Sequence, residues 1–134
     1  MMGMHTEIMV KGDVFLKQKD QNTEAALRYF FTGQDLPEDF QAPRHELFRC
    51  LRWEGIGRCA SDCHHPKVIR SFEHSSVSTT TSVFMRCDLK AYDDEHVHFF
   101  DWVAPYVDAI KDDVIGYHWY EDDEAPTLIR KVTD

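Results

Sequence analysis

Cys59-x3-Cys63-His64-His65, with Cys50 upstream, gathers thiol and imidazole groups in one short stretch. These are the ligands that a structural zinc takes, about four of them in tetrahedral array. Cys50, Cys59, Cys63 and His64 are therefore the candidate metal ligands. The spacing departs from the two-residue gap that lets one turn present both sulfurs, and no second Cys or His pair stands at the usual distance. Adjacent His64 and His65 do not easily turn toward one ion. The competing reading is a loop with incidental thiols and solvent-facing imidazoles. The expectation is no cofactor, with structural zinc as the alternative.

A second set suits proton transfer. His74, His118 and Asp88 fall on predicted strands, and a His–carboxylate pair is the minimum for general-base work. If the sheet brings them together, they form the polar lining of a small-molecule pocket between sheet and helices. His96-x-His98 follows Asp93-Asp94-Glu95. Helical positions two apart point roughly 200° apart, so this pair does not chelate. Helical spacing instead puts His96 and Phe100 on one side and lets His98 pair with Asp101. No nucleophile elbow, phosphate-binding glycine loop or dinucleotide fingerprint is present, and Gly55-Ile-Gly57 is too short to count.

The third set is built for contact. Tyr117-His118-Trp119-Tyr120 runs directly into Glu121-Asp122-Asp123-Glu124. Alternation in a strand opposes Tyr117 and Trp119 to His118 and Tyr120. One pair belongs under the helices with Trp102 or Phe100, and the other lies on the open face of the sheet. Tyrosine and tryptophan anchor binding surfaces because they offer large area with few rotatable bonds. The four acids lack the spaced oxygen ligands of a calcium loop. They read as a solvated acidic turn that can steer a basic partner.

Elements must position these groups. Ile8, Val10, Val14 and Leu16 are apolar at even positions, which predicts a half-buried strand from Glu7 to Lys17 with a bulge at Gly12. Asn22 is the expected cap of a helix starting at Thr23, with Ala26, Leu27, Phe30 and Phe31 as its buried stripe and Gly33 as its stop. Pro43 suits the first turn of a second helix that carries Leu47, Phe48 and Leu51 and ends at Gly55. Residues 55–66 read as irregular. Two strands follow, Val68–His74 and one through Val83, Met85, Cys87 and Leu89, with 75–81 as a polar linker. Val97, Phe100, Val103, Val107 and Ile110 predict a buried helical face, which Pro105 kinks or splits. The aromatic strand 114–120 and a short edge strand from Thr127 to Val132 close the chain.

That order gives one α+β domain over 1–134, a ferredoxin-like sandwich. It has an antiparallel sheet of four or five strands with helices packed on one face. The sheet's other face is left solvated, covered by loops, or shared with a second subunit. The chain has 134 residues, 43% of them hydrophobic, which suffices for a single core. Its net charge of −9 is concentrated in the second half. Such a field repels phosphate backbones and argues against direct nucleic-acid binding. No run approaches a membrane span, and the N-terminus lacks the pattern of a signal peptide. The expected protein is therefore a small, soluble, cytoplasmic binding or regulatory protein without catalysis. It would be homodimeric through the open sheet face, with an acidic surface for a basic protein partner. A small-molecule-binding protein or small enzyme is the alternative.

Overall fold

The computed structural model describes residues 5–62, 68–73, 79–90, 94–109 and 113–131, with backbone alone for 59–62, 68–73 and 79–82. The chain order is β1 (Thr6–Val14), α1 (Gln21–Thr32), a 3₁₀ turn (Glu46–Arg49), α2 (Trp53–Asp62), β2 (Val68–Glu73) and β3 (Thr79–Leu89). Then come α3 (Glu95–Val103), a second 3₁₀ turn (Ala104–Tyr106), β4 (Val107–Asp108), β5 (Val114–Tyr120) and β6 (Thr127–Arg130). This is an α+β fold with an open antiparallel sheet in the order β2-β3-β1-β5-β6, and two-residue β4 pairs with β1 off that path. Among the described residues no helix is long and apolar enough to cross a membrane.

β1 is the central strand because its even positions carry the apolar residues. Ile8, Val10 and Val14 are fully buried, as are Val83 and Cys87 of β3 beside them. The register is continuous from Thr6↔Leu89 to Val14↔Thr81, so the bulge expected at Gly12 is not there. Gly12 serves close approach instead. A Cβ at that position would lie 2.5 Å from the Asp108 carbonyl oxygen of β4.

α1 supplies the centre of the core. Phe30 makes edge contacts with Tyr29, Trp53, Phe99 and Trp102, at centroid distances of 5.1 to 5.9 Å. The stripe Ala26, Leu27, Phe30 and Phe31 is buried throughout. The cap is Asp20 rather than Asn22, because its carboxylate accepts from the Asn22 amide and from the Thr23 hydroxyl. Both bonds hold the Asp20 carboxyl below its ordinary value, the hydroxyl contributing most. Gly33 ends the helix with φ 80°.

The second helix corrects the sequence-based expectation. Residues 46–49 form only a 3₁₀ turn, Leu51 is 93% exposed, and the helix begins at Trp53 and runs through both Gly55 and Gly57. Gly57 is a packing glycine, not a stop: a Cβ there would meet the Tyr29 ring at 2.5 Å. The Tyr29 hydroxyl in turn donates to the Glu54 carbonyl at 2.7 Å, which locks α1 against α2.

β3 starts at Thr79, so the threonines assigned to a linker belong to a strand. β-branched Thr suits a pleated surface, and the polar pattern hid this. Pro105 sits in the 3₁₀ turn after α3, where the chain leaves the helix and enters β4. Val97 is 47% exposed and Val107 is buried as a strand residue, so the buried helical face keeps Phe100 and Val103 of the predicted set and adds Phe99 and Trp102. Ile110 lies outside the described residues.

Candidate functional site

β5 carries the aromatic run, and its register with β1 sorts the side chains onto two faces. Ile8 opposes His118 and Val10 opposes Gly116, on the face turned to the helices. Glu7 opposes Trp119 and Met9 opposes Tyr117, on the open face. Across β3 that open face continues with Asp88 opposite Glu7, Arg86 opposite Met9, and Phe84 opposite Lys11. Across β6, Leu128 stands opposite Tyr117 and is 51% exposed.

On the open face the polar groups are tied together. The Tyr117 hydroxyl donates to the Glu7 carboxylate, whose other oxygen lies 4.0 Å from Arg86 Nε. Burial, and then the hydrogen bond and negative charge of Glu7, push the Tyr117 phenol up to about 12. His5 Nδ1 lies 3.2 Å from the Asp88 carboxylate. Trp119 is 39% exposed, and its indole Nε1–H donates to the Asp123 carbonyl at 2.9 Å. That bond pins the ring against Tyr117, 6.4 Å away between centroids and nearly perpendicular. Beside it lies a cleft of about 210 Å³ lined by His5, Glu7, Asp88, Trp119, Tyr120, Glu121 and Asp123. Aromatic rings with surrounding carboxylates make a wall suited to an ammonium or guanidinium group. Asp122 and Glu124 are exposed on the adjoining turn.

On the helix side His118 meets α3. Its ring lies 4.8 Å from the His96 ring and 6.2 Å from Phe100. Burial lowers both imidazoles from their ordinary value. For His96 the neighbouring His118 adds to this, against the opposing pull of Asp94 and Glu95; for His118 Asp123 opposes it. His96 Nδ1 is a buried atom with no hydrogen-bond partner among the described residues, and Glu95 beside it is wholly buried. Sequence spacing placed His96 with Phe100 but did not reveal His118 between them, because that contact crosses from helix to sheet.

The sheet therefore separates Asp88 from His118, on opposite faces, and the proposed polar lining of one pocket is not assembled by these two. His74 lies outside the described residues. Of the candidate metal ligands, Cys50 is a buried thiol that donates to the Glu46 carbonyl at 3.5 Å, and Cys59 falls in α2 rather than in a loop. Cys63 and His64 lie outside the described residues. Among the described residues no group of three or more His, Cys, Asp or Glu is placed to hold a metal ion. Asp101 pairs not with His98 but with His45, at 2.8 Å from Nε2. His45 Nδ1 accepts from the Leu47 amide, so Nε2 carries the proton and donates to Asp101. This pair clasps the first 3₁₀ turn to α3.

His5 and Glu7 were not singled out by the sequence. The available signal was the odd-position series of β1, Glu7, Met9, Lys11 and Asp13, which shares a face with Trp119. No protein-family model matches the chain, and no match was found among curated proteins or among solved structures.

Proposed function

We propose that this is a non-catalytic binding protein whose working surface is the open face of the sheet. A second copy packs on that face, and the acidic end receives a basic protein partner. The observation that carries this reading is the composition of the face. Met9, Phe84, Tyr117, Trp119 and Leu128 supply apolar area, while acids and bases stand on adjacent rows. Glu7 and Asp88 occupy one row, and Arg86 and Lys11 the next two. A two-fold axis through the middle of such a face sets one copy's acids against the other's bases, which is the self-complementarity that an isologous contact requires. Glu121, Asp122, Asp123 and Glu124 stay at its margin, where charge acts chiefly on encounter rate.

The fold reading in its finer form belongs here too. We infer that β1, β2, β3 and β5 with their helices follow the split β-α-β arrangement of ferredoxin-like sandwiches. Support comes from the neighbours β2-β3-β1-β5 and from the helical connections β1 to β2 and β3 to β5. β4 and β6 are strands that the four-stranded arrangement lacks, and the observed order differs from it by including them. The topology alone carries no function.

Trp119→Ala and Met9→Arg test the surface by sedimentation equilibrium. Trp119→Ala removes a central aromatic anchor and is expected to weaken self-association by about 2 kcal/mol or more, with the far-ultraviolet spectrum unchanged. Titration with a lysine- and arginine-rich peptide tests the margin. Binding that weakens when all four acids at 121–124 become amides supports the reading. Unchanged self-association and unchanged peptide binding in folded variants would remove it.

A further inference from the structure

We propose that the cleft at the end of the open face seats one arginine side chain, carried by an exposed segment of a partner protein; this rests on the basic-partner reading above and names the residue of the partner that is recognised.

Strand register builds the floor of the cleft. Asp88 of β3, Glu7 of β1 and Trp119 of β5 stand in one row across three adjacent strands, all on the open face. With strands about 4.8 Å apart, that row is roughly 10 Å long. Beyond it lies His5, whose carbonyl accepts from the Glu121 amide at 3.0 Å. The turn after β5 closes this end. The Asp123 amide donates to the Tyr120 carbonyl at 2.9 Å, and the Asp123 carbonyl accepts from the Trp119 indole at 2.9 Å. Turn and ring thus hold each other in place.

Acids spread along one exposed segment are ordinarily a solvated face. Here they come from β1, from β3 and from the turn, and they converge on one concavity beside a fixed indole. Glu7, Asp88, Glu121 and Asp123 all line it, and among the described residues no lysine or arginine does. Arg86 approaches Glu7 from the neighbouring Met9 row, at 4.0 Å, and His5 lies 3.2 Å from Asp88. Carboxylates held this close repel one another, and a guest cation relieves the repulsion.

Size and shape select the cation. The cleft holds about 210 Å³, below the roughly 300 Å³ at which pockets for drug-sized molecules begin. One side chain is therefore the right scale of guest. A guanidinium is planar, stacks on an aromatic ring and donates to two acceptors at once from a fixed fork. An ammonium is a compact, more strongly hydrated point charge without a plane to lay on the indole. Acids on three sides of an aromatic wall match the first better than the second.

Three blocked glycine pentapeptides test the proposal, with arginine, lysine or citrulline at the centre. Each is titrated into the full chain at fixed chain concentration, and the Trp119 indole N–H is followed by heteronuclear NMR. The arginine peptide should shift that signal saturably. The lysine peptide should bind about twofold to fivefold more weakly, and citrulline, which keeps the shape without the charge, should leave the signal in place. Asp88 is 59% exposed, so Asp88→Asn leaves the fold intact. It should weaken the arginine peptide about twofold to fivefold, and Glu121→Gln should act in the same direction. A Trp119 signal unmoved by the arginine peptide, or moved equally by citrulline, overturns the proposal. Oligolysine and oligoarginine separate it from the reading on which it rests. Equal binding of the two, unaffected by Asp88→Asn but weakened by amides at 121–124, keeps the basic partner and removes the arginine seat. Binding of neither removes both.

Discussion

Along β1, Ile8, Val10, Gly12 and Val14 are buried, while Glu7, Met9, Lys11 and Asp13 between them keep contact with water. One strand thus presents two surfaces built on different rules. The helix-covered face gathers rings around Phe30, and there the imidazoles of His96 and His118 meet edge to face. The open face spaces its rings apart and ties them with hydrogen bonds, Tyr117 to Glu7 and Trp119 to Asp123. The first arrangement lowers the free energy of the folded chain by removing apolar area from water. The second holds aromatic surface in place without burying it, which costs little and leaves area for a partner.

Substitutions on the two faces should therefore fail differently. Phe30→Ala empties the centre of the core, and a loss of about 3–5 kcal/mol in urea unfolding is expected. A loss below that range, comparable to that of Trp119→Ala, would erase the distinction between the faces.

The imidazole pair gives a smaller, pH-dependent effect. Burial lowers both rings from the ordinary value near 6.5. The native state then binds fewer protons than the unfolded chain as pH falls through that value. Stability is complete above it and declines below it. The urea midpoint should drop between about pH 7 and pH 5, and the drop should be shallower in His118→Gln. A midpoint that rises on acidification would show that these rings gain rather than lose from charge.

The smallest effect is on the open face. Tyr117→Phe deletes the hydrogen bond to Glu7 and should cost about 1 kcal/mol or less. In an ultraviolet titration the wild type should retain a phenol that ionises only near 12. That late step should be missing in the variant.

Where one local pattern decided an element, the sequence was readable. Strand 114–120 and the glycine stop of α1 are set by alternation and by a left-handed residue, both local. The cap moved from Asn22 to Asp20 because either side chain can accept backbone hydrogen bonds, and only the geometry of the preceding loop selects one. α2 was misread because Gly55 looks like a helix stop, whereas the helix runs through it, and the next glycine, Gly57, gives steric room to Tyr29, 28 positions away. The site was legible in its β5 half and at Asp88 of β3. Tyr117 and Trp119 announce themselves, but Glu7 and His5 join them through strand pairing, and His96 reaches His118 across layers. Such contacts depend on register, which no local pattern supplies.

The central claim is that the open face, not the helix-covered core, is where this protein meets others. The chain's three tryptophans allow a direct measurement, since Trp53 and Trp102 are buried and Trp119 is not. Indole N–H resonances should be followed by heteronuclear NMR as chain concentration rises. The Trp119 signal should shift and broaden while those of Trp53 and Trp102 stay fixed. Movement of Trp53 or Trp102 with Trp119 unchanged, or three static signals across the range, would contradict it.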